Sequence, residues 1–450
     1  MKHRIQSTFC AVVMSVSVLC PRALAQDLAR MDQVVKSYAD EAKTFMGSVL
    51  VARDAQVLVS RGYGSANLEW AIANTPATKF RLGSITKQFT AAAILLLEER
   101  GKLRVDDPVK KYLPDAPAAW DQVTIVHLLT HTSGIPSFTG FSDYRAAKLV
   151  STTADKLVAS FRDKPLEFPP GEKGNYSNSG YLLLGHLIEK ISDQTYEQFV
   201  RENILTPLGM KDSGYDSNRD IIPHRASGYS PSPNGPVNAE FIHMSVPHAA
   251  GALYSTTEDL LRWTQGLFGG KLLSPASLQK MTTSVKNDYA FGLVVRTLNG
   301  RQVFDHGGGI EGFNTTLAYY PDTRVTVAVL ANLNGPASGE IANKLGAVAH
   351  GDTVTLVSER KEITVAPEIL ARYVGTYEVT PTLNMAITLV DGRLMTQLGG
   401  QRALPLFAES ETTFFLKVVD AQVEFVSDQT GAVTHAIMRQ GGPGQKAVRR

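Results

Sequence analysis

The chain has 450 residues, of which 43% are hydrophobic and 20% are charged, and its formal net charge is +2. A chain of this length can bury a large core and is expected to form two domains. The nearly balanced charge gives no indication of a nucleic acid or an anionic membrane as a partner.

The first residues have the pattern of a secretory signal peptide. Basic residues at positions 2–4 precede an apolar stretch over residues 9–19, and Ala23-Leu24-Ala25 offers a cleavage site before Gln26. We therefore expect residues 1–25 to be removed and the protein to be secreted or periplasmic, with no membrane span in the mature chain. Both cysteines lie in this segment, so the mature chain would contain no disulfide, thiol nucleophile or cysteine metal site.

A helix and a β-hairpin follow the signal segment. Apolar residues at helical spacing predict a helix over residues 27–45. Residues 47–53 and 57–63 have the pattern of two paired strands around a short turn.

The next stretch predicts a buried helix with a nucleophile at its start. Residues 91–97 are all apolar, and Gly101 suits the position just after a helix end. Ser84 and Lys87 are three residues apart, so both project from one face of the first turn. Because burial favours the neutral form of a lysine and the helix dipole favours a developing oxyanion, the pair suits nucleophilic catalysis. Taken alone the Ser-x-x-Lys pattern is weak, since most such pairs are a helix cap and a solvated lysine.

Two further groups of polar residues lie in the middle of the chain. His127 and His131 have helical i, i+4 spacing, but no glutamate stands between them and no third ligand is evident, which favours a structural role over zinc binding. Tyr176 and Asn178 lie in a loop before a helix predicted over residues 179–192, a placement that suits groups facing a ligand.

The remainder of the chain is expected to complete one domain and form a second. Strands are predicted over residues 290–297, 301–306, 313–320 and 325–330, with a closing helix over 338–348.

We predict a domain over residues 26–350, a polar linker over 351–366 and a small all-β domain over 367–450. Asp391-Gly392 predicts a hairpin turn in the last of these. We assign no chemistry to it, because it lacks a concentration of His, Asp and Glu residues.

Three separated motifs occur in the order that Ser-x-x-Lys enzymes need: Ser84-Ile85-Thr86-Lys87, Tyr176-Ser177-Asn178 and His306-Gly307-Gly308-Gly309. On these motifs, over roughly residues 30–350, the chain resembles the serine β-lactamase and penicillin-binding protein superfamily. The resemblance is to its class C-related branch, which includes D-aminopeptidases, DD-carboxypeptidases and family VIII esterases. The resemblance implies an α+β fold, with an antiparallel sheet flanked by helices and a mostly helical subdomain. The C-terminal segment is similar, more loosely, to a lipocalin-like β domain appended to some members.

The resemblance also implies roles for single residues. Ser84 would be the acylated nucleophile, and Lys87 and Tyr176 would share the work of general base and acid, with the division between them left open. Asn178 would orient the substrate and contact Lys87. The backbone N–H groups of Ser84 and Gly309 would form the oxyanion hole.

The third motif departs from the Lys-Thr-Gly that β-lactamases usually carry. His306 replaces the permanent cation and would be mostly neutral at pH 7, given a reference pKa of about 6.5. His306, Gly308 and Gly309 would contact the substrate, and protonation of His306 near its reference pKa would favour anionic substrates.

We therefore expect an exported serine hydrolase that cleaves small esters or peptides through an acyl-enzyme, with substrates that include D-residues or cell-wall peptides and with no metal or organic cofactor. The alternative enzymes are a β-lactamase, whose efficiency the third motif puts in question, and a DD-carboxypeptidase. The alternative outside enzymes is a penicillin-binding sensor or scaffold without turnover, which the complete set of Lys87, Tyr176 and Asn178 argues against.

Overall fold

The computed structural model describes residues 21–440 and 444–450, so most of the expected signal segment lies outside the described residues. Over the described part, the chain forms two large antiparallel sheets, of six and nine strands. None of the helices in this part is both long and apolar enough to cross a membrane.

The first sheet has six strands in the order β3-β4-β5-β6-β1-β2, all antiparallel. The strands are β1 Gly47–Arg53, β2 Gln56–Tyr63, β3 Val294–Leu298, β4 Arg301–Ile310, β5 Phe313–Tyr320 and β6 Val325–Ala331. The register of β1 against β6 runs from Gly47 opposite Ala331 to Arg53 opposite Val325. The early hairpin and the late strands therefore share one sheet, close to their predicted bounds.

Both faces of this sheet are covered by helices. Along β1, Val49 and Val51 belong to one hydrophobic core, whereas Leu50 and Ala52 belong to the other. Because side chains alternate along a strand, a strand that is apolar at every position must have a core on each side.

The helices of the described chain divide between these two cores, except the last helix, which packs in the core of the C-terminal sheet. They are α1 Pro21–Lys36, α2 Thr86–Glu99, α3 Ile125–Leu129, α4 Tyr144–Ala147, α5 Ala154–Arg162, α6 Asn178–Ser192, α7 Tyr196–Val200, α8 His248–Gly251, α9 Thr257–Phe268, α10 Pro275–Thr282, α11 Ala337–Ala349 and α12 Pro367–Tyr373. The cores differ in size. α1 and α11 cover one face of the sheet, and most of the others pack around α2 in the larger core.

Helix α2 is buried along nearly its whole length, as its composition predicts. Each residue from Thr86 to Leu97 is buried, and Gly101 follows the helix end with φ +66°. The first helix differs from its prediction, because α1 ends at Lys36 and continues as a π-helical turn over Ser37–Glu41. The periodicity of the sequence does not distinguish these two helical forms.

The C-terminal residues form a nine-stranded antiparallel sheet that nearly closes into a barrel. Its strands are β7 Gly375–Thr380, β8 Leu383–Val390, β9 Arg393–Leu398, β10 Leu404–Pro405, β11 Phe407–Ala408, β12 Thr413–Phe415, β13 Gln422–Ser427, β14 Val433–Arg439 and β15 Gln445–Arg449. The two edge strands, β10 and β11, are separated in the chain by Leu406 alone. The opposite edges of the sheet therefore meet. Asp391 and Gly392 form the predicted turn between β8 and β9.

The segment predicted as a linker packs against both sheets. Leu356 is buried, with 4% of its surface exposed, in the core that α1 and α11 form. Val365 is buried in the core of the nine-stranded sheet. Glu359 pairs with Arg30 of α1. The change from the first core to the second therefore falls between Glu359 and Val365, later than Gly351.

We predict that Leu356→Ala in the full chain lowers the free energy of unfolding by about 2–4 kcal/mol, because it removes buried apolar volume and leaves a cavity. Urea denaturation measures this difference. The matched control is Ile363→Ala, because Ile363 is 43% exposed. Equal effects of the two substitutions would contradict the burial of Leu356.

The same contacts predict where the chain can be shortened. A chain that ends at Lys361 retains both Leu356 and Glu359, so it should unfold at a higher urea concentration than a chain that ends at Gly351. Equal midpoints for the two truncated chains would show that the segment adds nothing to the first domain.

Candidate active site

Ser84 lies in a tight turn that packs against β4. It occupies a 3-10 turn just before α2, and Gly83 before it has φ +55°. A Cβ atom on Gly83 would lie 2.8 Å from the nitrogen of Gly309, and one on Gly308 would lie 1.9 Å from the carbonyl oxygen of Leu82. Side chains at these two glycines would force the turn and the strand apart. The glycines therefore allow Ser84 to lie beside the third motif.

The amine of Lys87 is completely buried and lies next to Ser84. Its Nζ atom is 2.9 Å from Ser84 Oγ, 2.9 Å from Asn178 Oδ1 and 2.8 Å from the carbonyl oxygen of Ala250. Burial lowers the pKa of Lys87 well below its ordinary value, because the charged form loses its hydration. None of its three contacts is a carboxylate that could restore that charge. Burial therefore favours the neutral amine of Lys87.

The contacts of Lys87 determine where its lone pair lies. A neutral amine has two N–H donors and one lone pair. The carbonyl oxygen of Ala250 and Oδ1 of Asn178 can only accept hydrogen bonds, so they take the two donors. The lone pair is left facing the hydroxyl of Ser84. This arrangement places a base at hydrogen-bond distance from the proton of a hydroxyl nucleophile.

Tyr176 lies on the other side of the same pair. Its ring centroid is 4.8 Å from Lys87 Nζ, and its hydroxyl interacts with Ser84. Tyr176 keeps 42% of its surface exposed. The protein around the phenol still raises its pKa above the ordinary value, because a phenolate there would be poorly hydrated, while Ser84 lowers it in part. The phenol is therefore protonated, as a general acid must be.

The loop before α6 is fixed by an upstream segment. The hydroxyl of Ser177 accepts a hydrogen bond from the N–H of Gly180 at the start of α6 and donates one to the carbonyl oxygen of Ile135. The N–H of Ser177 donates to Nδ1 of His131 at 3.1 Å, and the amide of Asn178 donates to Thr139 Oγ1 at 3.2 Å. The segment that begins at His131 thus holds the second motif in place.

His306 lies behind the site and does not line the cleft. It is 5% exposed, and its Nδ1 atom donates to the carbonyl oxygen of Gly307 at 2.6 Å. Its Nε2 atom is 2.9 Å from the hydroxyl of Tyr289 and accepts from it. Burial and the neighbouring Lys87 lower the pKa of His306 to about 4.

This placement differs from the expectation that His306 faces the cleft and gains a proton near pH 6.5, while its contact with a substrate stays a prediction. Its ring is enclosed by Tyr289 and Tyr176, and a pKa of about 4 keeps it neutral at pH 6.5. Gly308 is also placed under the serine turn and does not line the cleft.

A cleft of about 470 Å³ opens in front of Ser84. The described residues that line it are Gly83, Ser84, Phe138, Thr139, Tyr144, Asn178, Ile242, Pro247, Ala250, Gly251, Gly309, Ile310, Glu311 and Asn334. Three residues of the sequence motifs, Ser84, Asn178 and Gly309, thus face one cavity. Apart from Glu311, the lining consists of apolar, amide, hydroxyl and glycine residues.

Sequence reasoning did not find several residues that contact the motifs. They are His131, whose role was expected to be only structural, together with Tyr181, Ala250 and Tyr289, while Glu311, which was also not found, lines the same cleft. His131 packs against Tyr176 and Tyr289, with ring centroids 4.2 and 4.5 Å apart. An isolated aromatic residue far away in the chain carries no pattern that predicts such a contact. Among the residues that the structure describes, no group of three or more His, Cys, Asp or Glu side chains is placed to hold a metal ion.

The chain belongs to the beta-lactamase family, whose members are serine hydrolases: the family model matches residues 31–351. Penicillin-binding protein 4* of Bacillus subtilis (strain 168) is 31% identical over 439 residues, which are 91% of this chain and 96% of that protein. The superfamily that the three motifs indicated is thereby confirmed. A second model, of a domain of unknown function (DUF3471), matches residues 359–446.

Two solved structures show the same fold. The octameric penicillin-binding protein homologue from Pyrococcus abyssi is 27% identical, with a TM-score of 0.68, over 94% of this chain and 100% of that one. A D-stereospecific amidohydrolase from Streptomyces sp. is 28% identical, with a TM-score of 0.62, over 72% of this chain and 99% of that one. The α+β fold with an added β domain is thus confirmed.

We predict that His306 makes the stability of the protein depend on pH between 6.5 and 4. In this range the unfolded chain binds a proton that folded His306 does not bind, since its pKa falls from 6.5 to about 4. The free energy of unfolding should therefore decrease as pH falls, by roughly 3 kcal/mol over the range. His306→Asn should flatten this slope, as measured by urea denaturation at successive pH values.

His224→Asn is the control for this experiment, because His224 is an exposed histidine. It should leave the slope unchanged. The wild-type slope will not vanish in His306→Asn, since burial also lowers the pKa of His131 and Lys87. An unchanged slope in His306→Asn would show that His306 titrates as it does in water.

Proposed function

We propose that the protein is an exported serine hydrolase that cleaves small esters or amides through an acyl intermediate on Ser84. The observation that carries this proposal is the position of Lys87 Nζ, which lies 2.9 Å from Ser84 Oγ while Asn178 Oδ1 and the carbonyl oxygen of Ala250, which can only accept, lie 2.9 and 2.8 Å from the same atom. Export rests on the basic and apolar pattern of residues 1–25 alone.

In the proposed reaction, the proton of Ser84 passes to Lys87 while Oγ forms a bond to the carbonyl carbon of the substrate. The negative charge on the carbonyl oxygen is stabilised by the N–H groups of Ser84 and Gly309. Tyr176 gives its proton to the nitrogen or oxygen of the leaving group as the bond to carbon breaks. The proton on Lys87 then returns to the phenolate of Tyr176, so both groups are neutral again.

Water completes the proposed cycle. It attacks the acyl carbon and gives one proton to Lys87, and the bond from carbon to Oγ breaks as that proton is returned to Ser84. The assignment of Lys87 as base and Tyr176 as acid follows from their pKa values, which the surroundings shift in opposite directions.

The substrate class is inferred from the cleft and from one relative. The D-stereospecific amidohydrolase that shares the fold supports amides of D-residues as substrates. The described cleft lining contains no lysine, arginine or histidine. A carboxylate-bearing β-lactam or the free carboxylate of a DD-peptide would thus have no cationic partner there. This favours cleavage of small esters or amides over β-lactamase or DD-carboxypeptidase activity. A binder without turnover is disfavoured by the complete acid and base pair.

We predict that a neutral fluorophosphonate probe labels Ser84. Mass spectrometry should place the adduct on the peptide that contains this residue, and Ser84→Ala should abolish labelling. Turnover should be measured on p-nitrophenyl esters, D-amino-acid anilides and a chromogenic cephalosporin. An adduct on a different serine would refute the assignment, and labelling without turnover of any substrate would favour the binder.

We predict that Lys87→Met lowers kcat/KM for a neutral ester by about 10²–10⁴-fold, the usual contribution of a general base. The substitution replaces a buried amine with an apolar side chain of similar length but leaves the carbonyl oxygen of Ala250 without its donor, so the free energy of unfolding of the variant must be measured beside its activity. Lys173→Met is the control, because Lys173 is exposed in the loop before Tyr176. Retained activity in Lys87→Met would assign the base to a different group.

The pH profile provides a second measurement of the same role. In the wild type, kcat/KM for the neutral ester should fall as pH falls through the lowered pKa of Lys87, since protonated Lys87 cannot accept the proton of Ser84. His306 does not charge until about pH 4, so it should not contribute to this limb above that value.

A further inference from the structure

Glu311 is the charged residue of the cleft lining that the reaction does not use. It lies in the two-residue turn between β4 and β5, where Ile310 is paired with Phe313. Gly309, near the end of β4, comes two residues earlier in the chain. Both line the cleft. Glu311 therefore lies on the same cleft, two residues along the chain from the N–H group of Gly309 that is expected to bind the substrate carbonyl.

The turn that carries Glu311 is fixed on both sides by one side chain. The amide of Asn334 donates to the carbonyl oxygen of Ile310 at 3.1 Å and accepts from the N–H of Gly312 at 2.8 Å. Asn334 also donates to Asn314 Oδ1 at 2.9 Å. The carboxylate is thus carried by a turn whose backbone is held by hydrogen bonds. A selective contact requires such a fixed position.

Glu311 is one of four charged side chains that form ion pairs with one another. Lys148 pairs with Glu311 at 2.6 Å and with Glu240 at 2.8 Å, and Arg145 pairs with Glu240 at 2.9 Å. The side chains of Lys148 and Glu311 are 9% and 18% exposed. Of these four residues, only Glu311 lines the cleft. The contact to Lys148 uses one carboxylate oxygen, and the second oxygen retains the capacity to accept a donor.

We propose that Glu311 selects substrates that carry a cationic ammonium group close to the scissile carbonyl. This inference rests on the proposed function, because it assumes that the cleft holds a substrate at Ser84. An ammonium has three donors and no acceptor, so it complements a carboxylate. The same carboxylate repels a substrate carboxylate at this place. An amine-bearing ester or amide, such as an amino-acid amide with a free amino group, fits both conditions.

The test compares D-alanine p-nitroanilide with its N-acetyl derivative, which differ in the charge of one group. The quantity measured is the ratio of kcat/KM for the amine over that for the acetylated substrate. Glu311→Gln retains the size of the side chain and removes its charge, so the ratio should fall about tenfold. Because both substrates are measured on the same preparation, any loss of folded enzyme cancels in the ratio.

Glu240→Gln is the matched control, because it removes the other carboxylate partner of Lys148 without changing the cleft lining. It should leave the ratio unchanged. An unchanged ratio in Glu311→Gln would overturn the inference. An equal fall in both variants would also overturn it, since the effect would then come from Lys148.

A second measurement does not depend on turnover. D-alaninamide and N-acetyl-D-alaninamide are compared for the concentration that halves the rate at which the neutral fluorophosphonate labels Ser84. The amine should protect at a lower concentration in the wild type, and this advantage should fall about tenfold in Glu311→Gln. Labelled Ser84 with no such advantage would overturn this inference alone. Unlabelled Ser84 would overturn the proposed function and this inference with it.

Discussion

The buried amine of Lys87 is the constraint on which the rest of the site depends. An ammonium with no exposed surface and no carboxylate partner would be strongly destabilising, so burial favours the neutral amine. A neutral amine still needs its two donors satisfied, and Asn178 and Ala250 satisfy them. These two residues come from different parts of the chain. The fold must therefore bring α6 and α8 against the start of α2, and the buried faces of these helices do this.

The same burial extends to the groups behind Lys87. His131 and His306 both have a pKa below the ordinary value of a histidine, mainly because they are buried and in part because Lys87 is near. A proton on one of these three bases therefore disfavours a proton on the others. The neutral ring of His306 still links two parts of the site. It accepts a hydrogen bond from the hydroxyl of Tyr289 and donates one to the carbonyl oxygen of Gly307 in β4.

The sequence predicted what local pattern controls and missed what depends on contacts between distant residues. Helix α2, the hairpin of β1 and β2 and the turn at Asp391 have clear local signals, and their bounds agree with the structure to within a few residues. Of the residues in the three motifs, the structure brings Ser84, Lys87, Tyr176 and Asn178 together. The burial of His306 was missed, because it depends on Tyr289, which is 17 residues away. Leu356 was assigned to a linker because its neighbours are polar.

The charges that face the cleft bear on both the reaction at Ser84 and the choice of substrate. Because burial favours the neutral form of Lys87, it disfavours a positive charge beside Ser84 that would attract an anion, and the described lining contains no lysine, arginine or histidine. The only formal charge that faces the cleft from this lining is the carboxylate of Glu311, at the end of the strand that carries Gly309. A cation bound there would lie near the oxyanion of the intermediate and would stabilise it at the moment when the charge develops. In this arrangement one group would both select the substrate and favour its reaction, without a cation from the protein.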